Sequence, residues 1–228
     1  LVGHTNLVCT LAVEGDFLCS GSYDKSIKLW HLETGTLVRT ITGSMVDEKD
    51  GATKKEDGAE AQITHKAVHH DRVNDVIFFN RGTNIISAST DKTVKRWNIA
   101  MNQEDARVLK EWSFSDDSEQ IHCMSVSKGS DCIIIGGGIT KTEGGQIKKH
   151  GTVRLWSNLD DIETGTSKNM KEETHINTVT RMLGSELETD VEGKRRHTDQ
   201  VQDVVISADG ERALSVANDD KVILWDLT

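Results

Sequence analysis

The sequence predicts an all-β fold built from repeated four-stranded antiparallel units. Three observations predict it: four of the five tryptophans end short strand-like segments that align with one another, apolar and polar residues alternate with a period of two before them, and turn-forming residues separate the runs. Repetition at this scale is typical of a fold assembled from one recurring supersecondary unit.

The repeat is marked by a histidine upstream of a tryptophan. The aligned segments are Ser26–Trp30, Thr93–Trp97, Thr152–Trp156 and Lys221–Trp225. His4 precedes Trp30 by 26 residues, His70 precedes Trp97 by 27, and His197 precedes Trp225 by 28. This nearly constant separation indicates an internal repeat.

The first unit shows the predicted order of strands. Its alternating runs, divided by turns at 14–15, 23–25 and 33–35, predict strands at Asn6–Val13, Asp16–Ser22, Ser26–Trp30 and Thr36–Ile41. Four consecutive antiparallel strands of this length make one compact sheet.

These units resemble WD repeats. The motifs are Gly3-His4, Ser20-Gly-Ser22-x-Asp24 and Trp30 in the first unit, Ser87-x-Ser89-x-Asp91 and Trp97 in the second, and His197, Ser215, Asp219 or Asp220, and Trp225-Asp226 in the fourth. The resemblance implies an all-β WD-repeat β-propeller whose blades each hold a hydrogen-bonded tetrad. The implied tetrads are His4–Ser22–Asp24–Trp30, His70–Ser89–Asp91–Trp97 and His197–Ser215–Asp219–Trp225.

The third unit departs from the pattern, because Ile121 to Trp156 contains no matching histidine or turn aspartate. The predicted blades are about 1–42, 67–113, 119–172 and 197–228, with inserted loops at 43–66, 139–151 and 171–196. The resemblance implies a ring of about seven blades, as in other WD-repeat propellers. Both ends of the chain fall within a blade. We therefore expect four blades of a larger ring, completed by the same longer chain or by a partner. The alternative is that the N-terminal residues complete the last blade of a small ring.

The three inserts are expected on one face, because loops before the first strand and loops between the second and third strands emerge on the same side of a propeller. Long loops on a rigid scaffold are where binding residues concentrate. Two basic clusters lie in these inserts and are the candidate partner contacts: Lys148, Lys149, Lys194, Arg195 and Arg196.

Composition excludes several classes of function. The 228 residues carry a net charge of −10, which disfavours nucleic-acid binding, and no apolar run is long enough to insert into a membrane. The four cysteines form no Cys-x-x-Cys pair and are expected to be buried free thiols in a reducing compartment. With no leader-like segment visible, an intracellular protein is expected.

The chemical motifs favour turns over sites. Gly136–Gly138 followed by Thr140–Thr142 lacks the spacing of a phosphate-binding loop. His65, His69 and His70 cluster, but His70 belongs to the repeat and no third ligand of fixed geometry is evident for a metal. The paired aspartates 116–117 and 160–161 are typical of turns. No catalytic residue, metal or cofactor is predicted.

The predicted function is a non-catalytic scaffold that mediates protein–protein interactions within a multi-subunit complex. The alternatives are a ribonucleoprotein or ribosome-assembly subunit, for which the basic clusters are the local indication, and a substrate-recruiting subunit of a ubiquitin ligase.

Overall fold

The structure is a computed structural model that describes residues 1–41, 69–99, 107–113, 119–127, 132–143, 145–156, 174–175, 179–183 and 197–227. Its regular elements are sixteen strands in four antiparallel four-stranded sheets. The predicted all-β class is confirmed. Among the described residues, no helix has the length and apolar character required to span a bilayer.

The strands follow the repeat that the tryptophans mark. Sheet 1 consists of β1 (Val8–Glu14), β2 (Phe17–Ser22), β3 (Ile27–His31) and β4 (Thr36–Ile41). Sheet 2 consists of β5 (Val73–Phe79), β6 (Asn84–Ser89), β7 (Thr93–Asn98) and β8 (Arg107–Ser113). Sheet 3 consists of β9 (Glu119–Ser127), β10 (Cys132–Glu143), β11 (Gln146–Trp156) and β12 (Thr174–His175). Sheet 4 consists of β13 (Val179–Leu183), β14 (Val201–Ile206), β15 (Arg212–Ala217) and β16 (Val222–Asp226).

Sheet 4 differs from the other three in its connectivity. Its order is β13-β16-β15-β14, because β13 precedes the three-stranded meander and pairs with the tryptophan strand β16. Sheet 4 therefore has four strands, and its outer strand comes from residues that precede the predicted fourth blade 197–228. The predicted insert 171–196 is also not all loop, since it contains β12 and β13.

The second predicted insert, 139–151, is a β-hairpin and not a loop. Strands β10 and β11 pair without interruption from Ile133↔Trp156 to Glu143↔Gln146. The turn between them includes Gly145, whose φ of 79° lies in the left-handed region that glycine adopts without strain. Pairing thus satisfies the main-chain polar groups that β10 and β11 turn toward each other. The first insert, 43–66, lies outside the described residues.

The sheets pack in sequence order through three apolar clusters. In the first cluster, Cys19 and Leu29 of sheet 1 meet Val76 and Trp97 of sheet 2. The second joins sheets 2 and 3, and the third joins sheets 3 and 4, where Trp225 lies against residues of β9 to β11. In sheets 2 and 4, the tryptophan-bearing face therefore packs on the sheet that comes before it in the chain.

Sheet 1 presents its tryptophan-bearing face to no neighbouring sheet among the described residues. Leu11 pairs with Ser20 in the same position as Val76 with Ser87 and Val204 with Ser215. Leu11 is 62% exposed, whereas Val76 is 1% exposed and Val204 is 4% exposed. The position is apolar in all three sheets and covered in only two of them.

Sheet 4 leaves its opposite face uncovered in the same way. Val205 is 53% exposed and Val216 is 38% exposed. The residue at the position of Val216 in sheet 2 is Ala88, which is fully buried against sheet 3. We refer to the Leu11 side of sheet 1 and the Val205 side of sheet 4 as the two open faces.

No disulfide joins the four cysteines, all of which lie in described strands, and one of them departs from the prediction. Cys19, Cys123 and Cys132 are buried, but Cys9 is exposed. Cys9 lies at the register shift between Val8 and Thr10 in β1, and its thiol donates to the carbonyl of Val73 across the interface at 2.7 Å. The prediction of a fully buried thiol is wrong for Cys9, which lies in a strand where four of the seven residues are exposed.

Candidate functional site

A chain of four hydrogen-bonded side chains crosses sheet 1. The indole Nε1 of Trp30 lies 2.8 Å from Ser20 Oγ, and Ser20 Oγ lies 2.8 Å from His4 Nε2. His4 Nδ1 lies 2.8 Å from the carboxylate of Asp24. Every polar atom that the indole and imidazole bring into the sheet therefore has a partner.

The direction of the hydrogen bonds follows from the state of the aspartate. Burial raises the pKa of Asp24, but hydrogen bonds from Ser26, main-chain N–H groups and His4 outweigh it, and the pKa lies well below its usual range. The ionised carboxylate accepts the His4 Nδ1–H, and in the neutral imidazole Nε2 then accepts from the Ser20 hydroxyl. That leaves the Ser20 oxygen to accept the indole N–H.

Sheet 2 contains the same chain of contacts. Trp97 Nε1 donates to Ser87 Oγ at 2.9 Å, and Ser87 Oγ lies 2.8 Å from His69 Nε2. His69 Nδ1 lies 3.0 Å from Asp91. Burial lowers the pKa of His69 more than Asp91 raises it, so the imidazole is neutral near pH 7.

Sheet 4 repeats the arrangement with all four residues at the expected positions. Trp225 Nε1 donates to Ser215 Oγ at 2.8 Å, Ser215 Oγ lies 2.7 Å from His197 Nε2, and His197 Nδ1 lies 3.0 Å from Asp219. The structure thus selects Asp219 over Asp220.

Three of the expected tetrad residues are wrong. Ser20 and Ser87 occupy the places expected for Ser22 and Ser89, and His69 occupies the place expected for His70. Ser22 and Ser89 lie two residues further along, at the strand end beside the turn, where each hydroxyl accepts the main-chain N–H of the tetrad aspartate, at 3.0 Å from Asp24 and 3.1 Å from Asp91. The His70 side chain is exposed, and its main-chain N–H donates to Asp91 at 2.7 Å.

A spacing signal in the sequence identifies the correct residues. Each bonded serine precedes its tryptophan by 10 residues, a spacing that already holds for Ser215 and Trp225. His69 precedes Trp97 by 28 residues, as His197 precedes Trp225. Using the fourth unit as the template selects Ser20, Ser87 and His69.

Sheet 3 lacks the serine of the tetrad. Ile133 pairs with Trp156 as Ile85 pairs with Trp97, so the residue at the serine position is Ile135. Ile135 is buried in the apolar cluster with sheet 2. An apolar side chain there needs no hydrogen-bond partner, which agrees with the missing histidine and aspartate in this unit.

Each tetrad aspartate also shapes the turn that carries it. The next residue adopts a left-handed conformation in all three sheets, with φ of 69° at Lys25, 68° at Lys92 and 60° at Asp220. The carboxylate then accepts the N–H of the second residue along, at 2.9 Å from Ser26 and 2.9 Å from Thr93. These hydrogen bonds stabilise the turns and offset the energetic cost of the left-handed backbone conformation.

One face of the arc carries all of these turns, and we call it the insert-bearing face. It comprises residues 4–7, 23–26, 69–72, 90–92, 139–151, 197–200 and 218–221. Main-chain bonds join the loop before each first strand to the turn between the second and third strands, for example Thr90 N–H to Arg72 O at 3.1 Å and Asn218 N–H to Gln200 O at 3.0 Å. The prediction that the insert 139–151 lies on this face agrees with the geometry of the hairpin.

The hairpin β10–β11 is fixed at its root by close backbone packing. A Cβ on Gly151 would lie 2.5 Å from the Asp199 carbonyl oxygen, and one on Gly138 would lie 2.7 Å from Gln200 Cγ. Gly151 N–H also donates to the His197 carbonyl at 3.1 Å. These glycines let the hairpin lie directly on the loop that enters sheet 4.

The candidate contact residues lie on or beyond this hairpin. Lys149 is exposed, with its Nζ 3.8 Å from Asp199. Lys148 lies next to it in β11. Lys194, Arg195 and Arg196 lie outside the described residues, as do His65 and the paired aspartates at 116–117 and 160–161.

A single carboxylate, Asp75, connects three sheets near their inner strands. Its Oδ1 accepts from the Thr10 hydroxyl of sheet 1 at 2.8 Å, and its Oδ2 accepts from the Met124 N–H of sheet 3 at 2.6 Å. Burial raises the pKa of Asp75 to about 6, despite the hydrogen bonds that lower it. Nothing in the sequence pattern pointed to this residue.

The comparisons with known proteins agree with the repeat. The family described as "WD domain, G-beta repeat" matches residues 1–31, 62–98 and 191–226. The "Ribosome biogenesis protein WDR12 homolog" of Oryza sativa subsp. japonica is 27% identical over 147 residues, which cover 60% of this chain and 31% of that protein. The "Probable E3 ubiquitin ligase complex SCF subunit sconB" of Talaromyces marneffei is 52% identical over 40 residues, which cover 18% of this chain and 6% of that protein.

A solved structure shares the fold. The "Crystal Structure of Mitotic Checkpoint Complex" contains a chain that superposes with a TM-score of 0.58 at 17% identity and covers 99% of this chain and 50% of that one. The chain thus spans less than a third of the two curated relatives and half of the solved one. Three segments of this chain, residues 1–31, 62–98 and 191–226, thus match the WD-repeat family, and each of them contains one of the hydrogen-bonded tetrads.

Proposed function

We propose that this chain is a non-catalytic scaffold that binds other proteins through its insert-bearing face. The observation that carries the proposal is the hairpin β10–β11, which projects from rigidly held turns and is locked at its glycine root. A rigid platform loses little conformational entropy when a partner binds. The WD-repeat relatives, one of them described as a subunit of a ubiquitin ligase complex, support a role in protein assemblies.

The tetrads contain a serine, a histidine and an aspartate at the distances of a hydrolase triad, but their arrangement opposes catalysis. Ser20 is 2% exposed, Ser87 is fully buried and Ser215 is 1% exposed, and each serine oxygen accepts an indole N–H. A nucleophile needs access to substrate and a site that stabilises the developing oxyanion. We therefore assign the tetrads to blade stability, and a serine-directed fluorophosphonate should label none of these three residues.

The two open faces support a larger ring. Each internal interface joins a tryptophan-bearing face to the opposite face of the preceding sheet, and the open faces are one of each kind. Further sheets, from the same longer chain or from a partner, would cover Leu11 and Val205 as Val76 and Ala88 are covered. Closing a ring in this way removes exposed apolar surface that sheet proteins avoid.

The experiment compares substitutions on opposite faces of the same scaffold. Lys149→Glu changes the insert-bearing face, and Arg81→Glu changes the exposed β5–β6 turn on the opposite face by the same charge. Co-purification from cells with quantitative mass spectrometry should show partners that Lys149→Glu loses and Arg81→Glu retains. If Arg81→Glu loses the partners instead, or if neither variant affects them, the partners do not bind through the insert-bearing face.

The second candidate is a ribosome-assembly subunit, which the similarity to the rice protein favours. The net charge of −10 opposes direct contact with RNA, so the chain would join such an assembly through proteins. Sucrose-gradient sedimentation tests this role. Co-migration with pre-ribosomal particles supports it, whereas migration only with smaller complexes argues against it.

A further inference from the structure

The three interfaces between neighbouring sheets share one polar contact. It lies at the same position of each first strand, just after a register shift against the second strand. At this position a side chain of one sheet accepts a main-chain N–H of the next sheet. The pairs are Thr10 Oγ1 with the Val76 N–H at 3.3 Å, Asp75 Oδ2 with the Met124 N–H at 2.6 Å, and the Cys123 thiol with the Val204 N–H.

Sheet 4 has the acceptor for one more contact of this kind. Asp203 occupies in β14 the register position that Asp75 occupies in β5, and it is exposed. Its Oδ1 accepts the N–H of Val204 at 2.8 Å, as Asp75 Oδ1 accepts the N–H of Val76 at 2.8 Å. Because Asp75 uses its other oxygen for the following sheet, Asp203 Oδ2 is the corresponding acceptor on the open face of sheet 4.

Gln202 provides a second contact. In sheet 2, the side-chain amide of Asn74 donates to the Ile121 carbonyl of sheet 3. Gln202 has the register position of Asn74 in sheet 4, and its side chain is exposed. Sheet 3 thus receives sheet 2 through two main-chain groups, the Ile121 carbonyl and the Met124 N–H. A first strand with the same register shift supplies these groups whatever its side chains are.

Sheet 1 has the main-chain groups that such a contact requires. Its first strand shows the same register shift, between Val8 and Thr10. By register, the Val8 carbonyl corresponds to that of Ile121, and the Leu11 N–H corresponds to that of Met124. The donor and the acceptor that complete the pattern of sheets 2 and 3 therefore belong to the two open faces of the same chain.

We propose that a second copy of this chain docks head to tail, so that the open face of sheet 4 in one copy covers the open face of sheet 1 in the other. This inference rests on the proposed covering of the open faces and names the sheet that covers them. Across the junction, Asp203 Oδ2 accepts the Leu11 N–H, and the Gln202 amide donates to the Val8 carbonyl. Apolar burial accompanies these bonds, because Leu11 is 62% exposed and Val205 is 53% exposed in the single chain.

Two variants that each block one face test the direction of docking. Leu11→Lys blocks sheet 1, and Val205→Lys blocks sheet 4, because each places an ammonium group in the apolar contact. Each variant alone lacks one of the two faces and should sediment as a monomer. An equimolar mixture should restore a single junction and form a dimer in sedimentation velocity. The matched control Ile147→Lys, at an exposed apolar position on the hairpin, should associate like the wild type.

The polar contact is tested at Asp203. Asp203→Thr keeps an oxygen acceptor, as Thr10 has in sheet 1, whereas Asp203→Val has a similar shape and no acceptor. Asp203→Val should weaken association about tenfold, and Asp203→Thr should retain most of it. Circular dichroism and thermal unfolding establish that the variants keep the fold.

Four results would overturn the inference. A wild-type chain that stays monomeric at every concentration means that other sheets, from a longer chain or a different partner, cover the open faces. Association of either lysine variant alone means that like faces pair, and a monomeric mixture means that the two faces do not meet. Equal association of Asp203→Val and Asp203→Thr means that the carboxylate is not the acceptor. None of these results changes cellular partners that depend on Lys149, so the scaffold function fails or stands separately.

Discussion

The indole N–H of Trp30 donates to Ser20 Oγ at 2.8 Å, and the same oxygen contacts His4 Nε2. One buried hydroxyl therefore satisfies two large side chains that approach it from different parts of the chain. Ser22, two residues along the same strand, instead bonds to the turn. The difference between these serines gives the first prediction.

Ser20→Ala should destabilise the chain by about 2–4 kcal/mol, because it leaves the indole N–H and the imidazole nitrogen without partners. Ser22→Ala removes only turn contacts and should cost about 1 kcal/mol. Urea unfolding followed by tryptophan fluorescence measures both. Equal losses would mean that Ser20 has no special role in the sheet.

Stability should fall as the pH is lowered through the ordinary histidine range, because burial lowers the pKa of His69 and of His197 in the folded state. The unfolded chain then binds protons that the native chain does not, so the contribution is present above about pH 6.5 and lost below it. His69→Gln should reduce the dependence of the unfolding free energy on pH. His197→Gln in sheet 4 should reduce it in the same way, and an unchanged dependence in both variants would contradict this origin.

Asp75 should give the unfolding free energy the opposite dependence on pH. Because its pKa is raised from 3.8 to about 6 on folding, the native state binds the proton more tightly, and its contribution to stability is lost as the pH rises between these values. The loss is on the order of 3 kcal/mol. Relative to the wild type, Asp75→Asn should gain stability between pH 4 and pH 7 in urea titrations. Thr10→Val removes one donor and should move the loss to higher pH.

The hairpin root should be intolerant of a single methyl group. Gly151→Ala would place Cβ 2.5 Å from a main-chain oxygen of the neighbouring loop, which cannot rotate away, and should cost about 2 kcal/mol. Thr142→Ala at the exposed end of the same hairpin is the control and should be nearly neutral. Differential scanning calorimetry compares them, and an unchanged midpoint for Gly151→Ala would contradict the packing described here.

Isolated copies of the chain should associate through the open faces. Leu11→Lys and Val205→Lys place charge on these faces and should reduce association in analytical ultracentrifugation. Ile147→Lys, an equally exposed apolar position on the hairpin, should not. Association that persists in both open-face variants would indicate another contact surface.

The sequence predicted the repeat and the strand class. It also predicted six of the nine bonded histidines, serines and aspartates, namely His4, Asp24, Asp91, His197, Ser215 and Asp219. It failed where two residues of one type stood near each other, as with His69 and His70, because proximity along the chain does not reveal which side chain points into the sheet. The length of the segment 139–151 does not distinguish a hairpin from a loop, although Glu143-Gly-Gly145 follows β-branched residues that favour strands. Asp75 was not predictable, because the Thr10 hydroxyl and the Met124 N–H that donate to it come from distant segments.

The position of Asp75 also affects how the arc comes apart. In repeat folds, stability is approximately the sum of each unit and its contact with the next, so end units can fray alone. Here sheets 1 and 3, which are not neighbours in sequence order, share a carboxylate that belongs to sheet 2. Detaching sheet 1 removes the Thr10 hydroxyl from that carboxylate and weakens the anchor of Met124 as well. Fraying of sheet 1 therefore also destabilises sheet 3. We expect the first three sheets to exchange their protected amide protons as one cooperative unit.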